Sequence, residues 1–374
     1  MMTLIFLETL AKAELSHYLV ERRFSRTLDD VGRFSFRKLA SAVGLLMRVA
    51  RCQSRYRPAA WVIFITNRPA SFIVDWAIIE LLTLLRQPLI HYVHTIGFRD
   101  LAAKNRILNL MVRRSLRAAD KIVCLGSSLM EDVAWAVSEN VSVIPNTPLR
   151  TYDAAHSRVR KQNRLLFLSN LLPDKGAGDF VECAIELCRR GSADSFVIAG
   201  PAPDEPTRQE LIQRIEASGF DDRIELIGPV DEDQKQRLFA SATALVFPSK
   251  YRFEAQPLTI VEALSAGVPI IAYDTGGIRD LVISGKTGVL VRQGDLRLLR
   301  EAVERVVEDA EYRNALSAGA RRHFSEHFSR QAYDREWNEI LADFGAQTSR
   351  VLASQASREA ARPRSTVDET PEED

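Results

Sequence analysis

An α/β fold built as two doubly wound, Rossmann-like domains facing across a cleft is what this sequence predicts, and three observations predict it. Short β-rich runs alternate with longer amphipathic stretches along most of the chain, the pattern of parallel sheets covered by helices. The alternation comes in two series, separated by a proline-rich turn and a polar, basic linker from Arg150 to Lys161. At 374 residues the chain is also long enough for each series to bury its own core.

In the first series, strands are expected near 17–21 (HYLVE), 61–66, 88–94, 121–125 and 141–144, all rich in β-branched and aromatic residues. Helices are expected near 3–15, 36–56, 70–86, 100–118 and 128–138, with Ser127 or Ser128 placed to cap the last. IPNTP at 144–148 then closes the unit with a turn. The second series has strands near 164–169, 195–200, 223–228, 244–248, 269–273 and 288–291. Its helices fall near 178–190, 206–218, 232–241, 258–266, 277–283 and 295–309, followed by two more near 311–326 and 329–345. Residues 347–374 are small, polar and charged, and are expected to be disordered. The resulting division is a first domain over 1–148, a second over 149–328, a helix over 329–345 and a tail over 346–374.

The 50 Lys and Arg nearly cancel the 49 Asp and Glu, but not evenly along the chain. Residues 1–165 carry 25 basic against 13 acidic side chains, and the remainder 25 against 36, which suggests two domains with different partners. Nucleic acid is not expected among them, since no stacking cluster or known binding motif accompanies the basic half. Cys52, Cys124, Cys183 and Cys188 have neither CxxC pairing nor metal-ligand spacing, so reduced thiols in a cytoplasmic protein are expected. No apolar run approaches the roughly 20 residues that span a bilayer. The opening TLIFLETLAKAEL lacks a basic start and is interrupted by Glu8 and Glu14, unlike a signal peptide.

The segment FPSKYRFEAQPLTIVEALSAGVPIIAYDTGG, residues 247–277, carries the sharpest chemical signal. It leaves a buried strand, passes a loop holding Glu254, and enters a helix near Pro257, where a missing N–H costs nothing. A helix start presents unpaired N–H groups and a positive dipole end, a seat for a diphosphate. Glu262, one turn further on, can accept ribose hydroxyls, and Glu254 can hold hydroxyls of a sugar beyond the phosphates. Acids in a first helical turn also simply favour the dipole, so either glutamate alone reads both ways.

Taken together, the segment resembles the E-x7-E signature of family 4 glycosyltransferases, the glycosyl transferases group 1, which are retaining enzymes of the GT-B fold. The resemblance continues through Ser265, Gly267 and Pro269, the Gly276–Gly277 turn and the GKTGVLV run before Asp295. Upstream, RLLFLSNLLPDKG resembles the family's first donor-domain strand and phosphate loop, and IELIGPVDEDQKQRLFASATALVFPS its base-binding turn. The likeness is strong over 164–345 and weaker over 60–148.

The resemblance implies roles. Lys175 would neutralise the donor diphosphate as it leaves, acting on charge that develops in the transition state. Glu262 would bind the ribose and Glu254 the donor sugar. Backbone amides around Ala255, Gln256 and Leu258 would meet sugar and phosphates, and the Gly228–Val230 turn the base. Asn170 stands where many relatives carry an arginine, which removes one phosphate charge. In HYVHTIGF, residues 91–98, His94 matches an active-site histidine that would bond the donor sugar or orient the acceptor. Taken alone, a strand-end histidine is more often structural. His91, on the opposite face of the strand, is expected to pack. Lys175 and Glu262 should both face the crevice, so replacing either should weaken nucleotide binding and leave stability largely intact.

Relatives begin with a strand and a glycine-rich loop on the acceptor side, whereas this sequence starts at what resembles the following helix. The first domain is therefore expected to lack its initial strand. Whether the start lies upstream of Met1 or the copy is repurposed stays open. The expected reaction is sugar transfer from a nucleotide diphosphate sugar to an acceptor hydroxyl with retention, by a hexosyltransferase of cell-envelope or exopolysaccharide synthesis, with neither metal nor other cofactor. The alternatives are a non-catalytic nucleotide-sugar-binding descendant and a GT-B nucleotide-sugar epimerase.

Residues 33–57 place seven basic side chains beside an apolar stripe through Leu39, Val43, Leu46, Met47 and Ala50, and residues 104–121 repeat the theme. Each stripe can pack on the sheet. The other reading is that these helices lie on an anionic inner-membrane leaflet, suiting a lipid-linked rather than a free glycan acceptor.

Overall fold

The computed structural model describes residues 2–21, 36–137, 139–152 and 163–360, with side chains to residue 345 apart from 36–39. The first sheet is four-stranded and parallel, in the order β1 (Trp61–Ile65), β2 (Leu89–Val93), β3 (Lys121–Cys124), β4 (Val141–Val143). Among the described residues no strand precedes β1, which pairs on one side only, with Trp61 opposite Leu89 and Ile65 opposite Val93. The second sheet has six parallel strands. They are β5 (Arg164–Leu168), β6 (Ser195–Ala199), β7 (Ile224–Gly228), β8 (Ala244–Phe247), β9 (Ile270–Tyr273) and β10 (Gly288–Val291), in the order β10-β9-β8-β5-β6-β7.

In the first domain, α2 (Phe36–Tyr56) packs on α3 (Pro69–Leu84), and α3 on α5 (Arg106–Arg117). Right-handed crossovers between neighbouring parallel strands place α3, α5 and α6 (Ser127–Ala134) on one face. The other face is closed by α1 (Met2–Lys12) and by α13 (Arg330–Ala360), the last helix among the described residues. Phe6 of α1 lies 4.6 Å from Trp337 of α13 and 6.1 Å from Phe64 and Tyr92 on the sheet. Arg330 ties the two helices by bonding Glu8 and Asp334, each at 2.8 Å. Tyr333 and Trp337 are thus buried in the first domain's core, although the chain reaches them only after the second domain.

In the second domain, α7 (Ala177–Arg190), α8 (Glu205–Ser218), α9 (Glu232–Ser241), α10 (Leu258–Ala266), α11 (Leu296–Glu308) and α12 (Ala310–His323) cover the sheet. Two apolar clusters result, one on each face, the first built around Phe167, Phe180 and Phe196 and the second around Phe239, Phe247 and Leu264.

The domains meet along a seam. The first-turn N–H of Ser128 in α6 donates to Asp280 of the second domain at 3.0 Å, and a side chain at Gly126 would lie 2.3 Å from the same carboxylate. The Gln256 side chain accepts from Asn146 N–H at 2.6 Å, and Arg252 pairs with Asp100.

Several expectations are corrected. Residues 17–21 form no strand; Tyr18 instead stacks on Tyr56 at 4.9 Å, and this segment pairs with no strand of the sheet. The helix expected over 100–118 is two, α4 (Phe98–Ala103) and α5, because Asn105 breaks away and caps the second by accepting from Leu108 N–H at 2.8 Å. Neither Ser127 nor Ser128 caps α6; Gly126 holds that position and Asp280 supplies the acceptor. A single 3-10 turn, Gly276–Asp280, replaces the helix expected over 277–283. The tail expected to be disordered from 347 is helical to Ala360, since 346–360 holds four Ala with Arg and Gln and no Gly or Pro, and the next proline is Pro363. Residues 361–374 lie outside the described residues, as does most of the basic linker at 150–161.

Candidate functional site

In the second sheet, β5 to β7 run outward in one direction while β8 to β10 lie on the other side of β5, so the strand order reverses between β5 and β8. Loops leaving the carboxyl ends of such neighbours diverge and leave a crevice. A cavity of about 460 Å³ opens there. Strand ends supply Leu168, Ser169, Gly200, Pro229, Val230 and Phe247 to its wall, and Pro257, Leu258 and Thr259 add the start of α10.

Asn170 and Lys175 enter the wall from the loop between β5 and α7. That loop turns through a 3-10 turn, Pro173–Lys175, into Gly176 at φ 88°, a conformation that favours glycine. A Cβ at Gly176 would lie 2.0 Å from the carbonyl oxygen of Pro248, so the loop seats against the end of β8 only without a side chain. Lys175 Nζ then donates to both carboxylate oxygens of Glu254, at 2.7 and 2.9 Å, and lies 4.8 Å from the centre of the Tyr251 ring. Ser249 Oγ donates to the same carboxylate at 2.8 Å. Both partners are largely enclosed, with side chains 15% and 6% exposed. The Gly276–Gly277 turn packs beneath: Gly277 N–H donates to the Glu254 carbonyl at 2.8 Å, with no space for a Cβ against Ala255.

Glu262 lies in α10, buried, and meets a cation that the motif does not contain. Lys235 of α9 lies 3.1 and 3.4 Å from its two carboxylate oxygens. Burial pushes the Glu262 carboxyl above the usual carboxylate range, Lys235 works against that shift, and the nearby Glu232 adds to it. For Lys235 burial disfavours the charge, and Glu262 and Glu232 more than offset this, so its pKa is raised. Both partners are raised because Glu262 is the more deeply enclosed of the two.

Of the residues singled out from the sequence, Asn170, Lys175, Val230, Glu254 and Leu258 therefore line one cavity. Gly228 lies just behind Pro229, bonded through its carbonyl to Gly200 N–H at 2.7 Å. Ala255 packs partly buried against the first domain's core. Gln256 has its side chain turned to Asn146 and Leu125 of the first domain, leaving only its backbone for the cavity.

Glu262 is not itself among the lining residues, standing behind Lys235, and neither is His94. Its ring lies 5.0 Å from Phe64 and 3.9 Å from Tyr92, with Nε2 enclosed and unpartnered. Burial lowers its pKa to about 3, so it is a neutral imidazole at ordinary pH. His91, on the other face, is fully buried with neither ring nitrogen bonded. Sequence reasoning missed Lys235, Glu232, Ser249 and Tyr152. The one local signal for Lys235 is the DEDQ capping box at 231–234, which starts α9 at the carboxyl edge of the sheet.

All four cysteines are buried and free. Among the described residues no cluster of three or more His, Cys, Asp or Glu could hold a metal, and no helix is long and apolar enough to cross a membrane.

Comparison with known proteins agrees with this architecture. Residues 150–323 match the model of the family described as glycosyl transferases group 1. The chain is 31% identical over 156 residues to an alpha-D-kanosaminyltransferase of Streptomyces kanamyceticus, covering 42% of this chain and 39% of that protein. It is 28% identical over 204 residues to a D-inositol 3-phosphate glycosyltransferase of Frankia alni, covering 50% of each. The chain thus spans about half the length, or less, of the first curated relatives it matches. Among solved structures, a sucrose-phosphate synthase of Thermosynechococcus elongatus superposes with a TM-score of 0.67 at 18% identity, over 82% of this chain and 79% of that one. HepE of Anabaena, crystallised with UDP, superposes with a TM-score of 0.66 at 19% identity, over 80% and 82%. Residues 150–323 are thus similar to the glycosyl transferases group 1, and the chain's two Rossmann-like domains have the GT-B fold.

Proposed function

We propose that this protein transfers a glycosyl group from a nucleoside diphosphate sugar to an acceptor hydroxyl, with retention of anomeric configuration. The observation that carries the reading is the cavity at the strand-order reversal, where Lys175 faces Glu254 beside the start of α10. Each of these parts matches one part of the donor. The diphosphate lies between Lys175 and the unpaired N–H groups of the first helical turn. The sugar hydroxyls reach Glu254, the ribose Glu262, and the base the Pro229–Val230 turn.

The anomeric carbon–oxygen bond breaks and its electron pair leaves with the nucleoside diphosphate, whose growing charge Lys175 stabilises. The acceptor oxygen forms its bond to the anomeric carbon on the face the phosphate leaves, and its proton passes to a phosphate oxygen. Neutral His94, at the end of β2 and outside the wall of the donor cavity, orients the acceptor hydroxyl through Nδ1. With Lys175 and the helix start at the phosphates, the chemistry needs no metal.

The acceptor belongs to the first domain, and we infer a lipid-linked glycan of envelope or exopolysaccharide synthesis at a cytoplasmic membrane face. In α2, Leu45, Val49 and Cys52 pack inward, while Val43 and Met47 are 48% and 63% exposed among arginines. On α5, Ile107 and Leu110 are 72% and 67% exposed beside Arg106, Arg114 and Arg117. Exposed apolar side chains ringed by cations suit an anionic lipid surface. Incubation with a panel of nucleotide sugars and a lipid-linked acceptor, followed by proton NMR of the product, tests the reading. Transfer with the donor's anomeric configuration is the expected result; donor binding without transfer would leave a non-catalytic protein, and inversion would refute the front-face reaction.

A further inference from the structure

Among the described residues, the carboxylate of Glu262 takes both of its side-chain bonds from one cation. Lys235 Nζ lies 3.1 Å from Glu262 Oε1, 3.4 Å from Oε2 and 3.1 Å from Glu232 Oε1. Glu232 is itself held by the hydroxyl of Tyr152, and the first turn of α9 by the reciprocal Asp231–Gln234 capping box. Lys235 is only 18% exposed and lines the cavity beside Pro229, Val230 and Thr259. Its ammonium is thus fixed by a chain of bonds, Tyr152 to Glu232 to Lys235 to Glu262, that runs from Tyr152 through α9 to α10.

We propose that Lys235 is a positioning residue that keeps Glu262 ionised and oriented to accept both ribose hydroxyls, so that the site selects ribonucleotides over 2′-deoxyribonucleotides. This rests on the donor-site reading above. An ionised carboxylate is acceptor-only, with more than one lone pair on each oxygen. Lys235 uses one on each side and leaves the others for two hydroxyl donors. A protonated carboxyl presents a donor of its own at one oxygen and cannot take both.

Burial favours that protonated form, and among the described residues the charged or titratable groups facing Glu262 are few. Lys235 and Glu232 come from α9 and Tyr152 from the segment before β5; Ser265, on α10 itself, bonds only the main-chain carbonyl. Glu232 raises the Glu262 pKa, and Lys235 is the group that lowers it. Removing Lys235 therefore shifts the Glu262 titration upward, and the loss of ribose binding sets in at a higher pH. Lacking the 2′-hydroxyl, a deoxyribonucleotide leaves one buried acceptor unpaired, which the wild-type site penalises and a protonated site does not.

The test is calorimetry on the full chain with UDP, GDP and ADP, each beside its 2′-deoxy counterpart, from mildly acidic to mildly alkaline pH. Lys235→Met keeps the length of the side chain, and Lys235→Arg keeps its charge. Lys235→Met is expected to bind the preferred ribonucleotide on the order of tenfold more weakly at neutral pH. Its preference over the deoxy form should narrow and its acid limb move to higher pH, while Lys235→Arg restores both. A packing defect would weaken binding without moving the acid limb. If wild type binds a nucleoside diphosphate and Lys235→Met keeps its acid limb and its ribose preference, the role of Lys235 is refuted and the donor site stands. If wild type binds none of the three, the donor-site reading itself is overturned, and this inference with it.

Discussion

Replacing Lys175 by alanine should cost stability as well as binding. Among the described residues its ammonium is the only cation bonded to Glu254, whose side chain is 6% exposed and otherwise holds the hydroxyl of Ser249. Removing one member of a fully buried pair costs roughly 3–5 kcal/mol, because the other charge is left uncompensated. Here Lys175 borders the cavity, so water can enter where it stood, and a loss of about 2–3 kcal/mol is the better figure. At about 2–4 °C per kcal/mol for a domain of this size, the thermal midpoint should fall by about 5–10 °C. Changing Glu254 to Gln in the same chain removes the stranded charge and should recover most of that loss. Nucleoside diphosphate affinity should fall by about ten- to a hundredfold in both variants, since a charged hydrogen bond contributes roughly 1.5–3 kcal/mol. Thermal melts and calorimetry read the two effects separately. A single variant that melts like wild type, or a double variant no more stable than the single, would refute the coupling. Unchanged nucleotide affinity would remove Lys175 from the donor site.

Further expectations follow from the seam, the surface and the phosphate site. Asp280→Ala strips the acceptor from the start of α6; capping losses run near 1 kcal/mol, so a fall of a few degrees and a larger radius of gyration in solution scattering are expected. Unchanged values for both would show that the domains are held elsewhere. Flotation should carry the protein with anionic vesicles at low salt, not with neutral ones, and lose it when Arg51, Arg55 and Arg57 become Gln; no association at low salt would favour a soluble acceptor. Chelation of divalent cations should leave the transfer rate unchanged, and a loss restored by added magnesium would show that Lys175 does not suffice at the phosphates.

The fold was legible because its signals are local. Short apolar runs such as ALVF and IIAY read as covered parallel strands and are buried throughout, and glycines at 191, 219 and 267 end the helices before them in left-handed backbone. HYLVE misled because β-propensity says nothing about a partner, and Tyr18 finds one in an aromatic ring rather than a ladder. The break at Asn105 was hidden because an asparagine inside a helical pattern reads as a polar face until its cap is seen.

At the site, residue types were legible but pairings were not. Lys175 and Glu254 are 79 positions apart and Lys235 and Glu262 are 27 apart, separations over which no periodicity carries information. This is why the expectation that Lys175 and Glu262 could be replaced without cost to the fold does not survive: each is half of an enclosed ion pair. The Gln256 side chain went astray for a related reason, since its partners Asn146 and Leu125 belong to the other domain.

The most direct measurement is a crystal structure of the full chain with its tightest-binding nucleoside diphosphate. The account predicts phosphates against Lys175 and the start of α10, the ribose on Glu262, the base beside Val230, and Lys175 drawn away from Glu254. Nucleotide bound elsewhere, or a cavity left empty at saturating nucleotide with the Lys175–Glu254 pair intact, would contradict it.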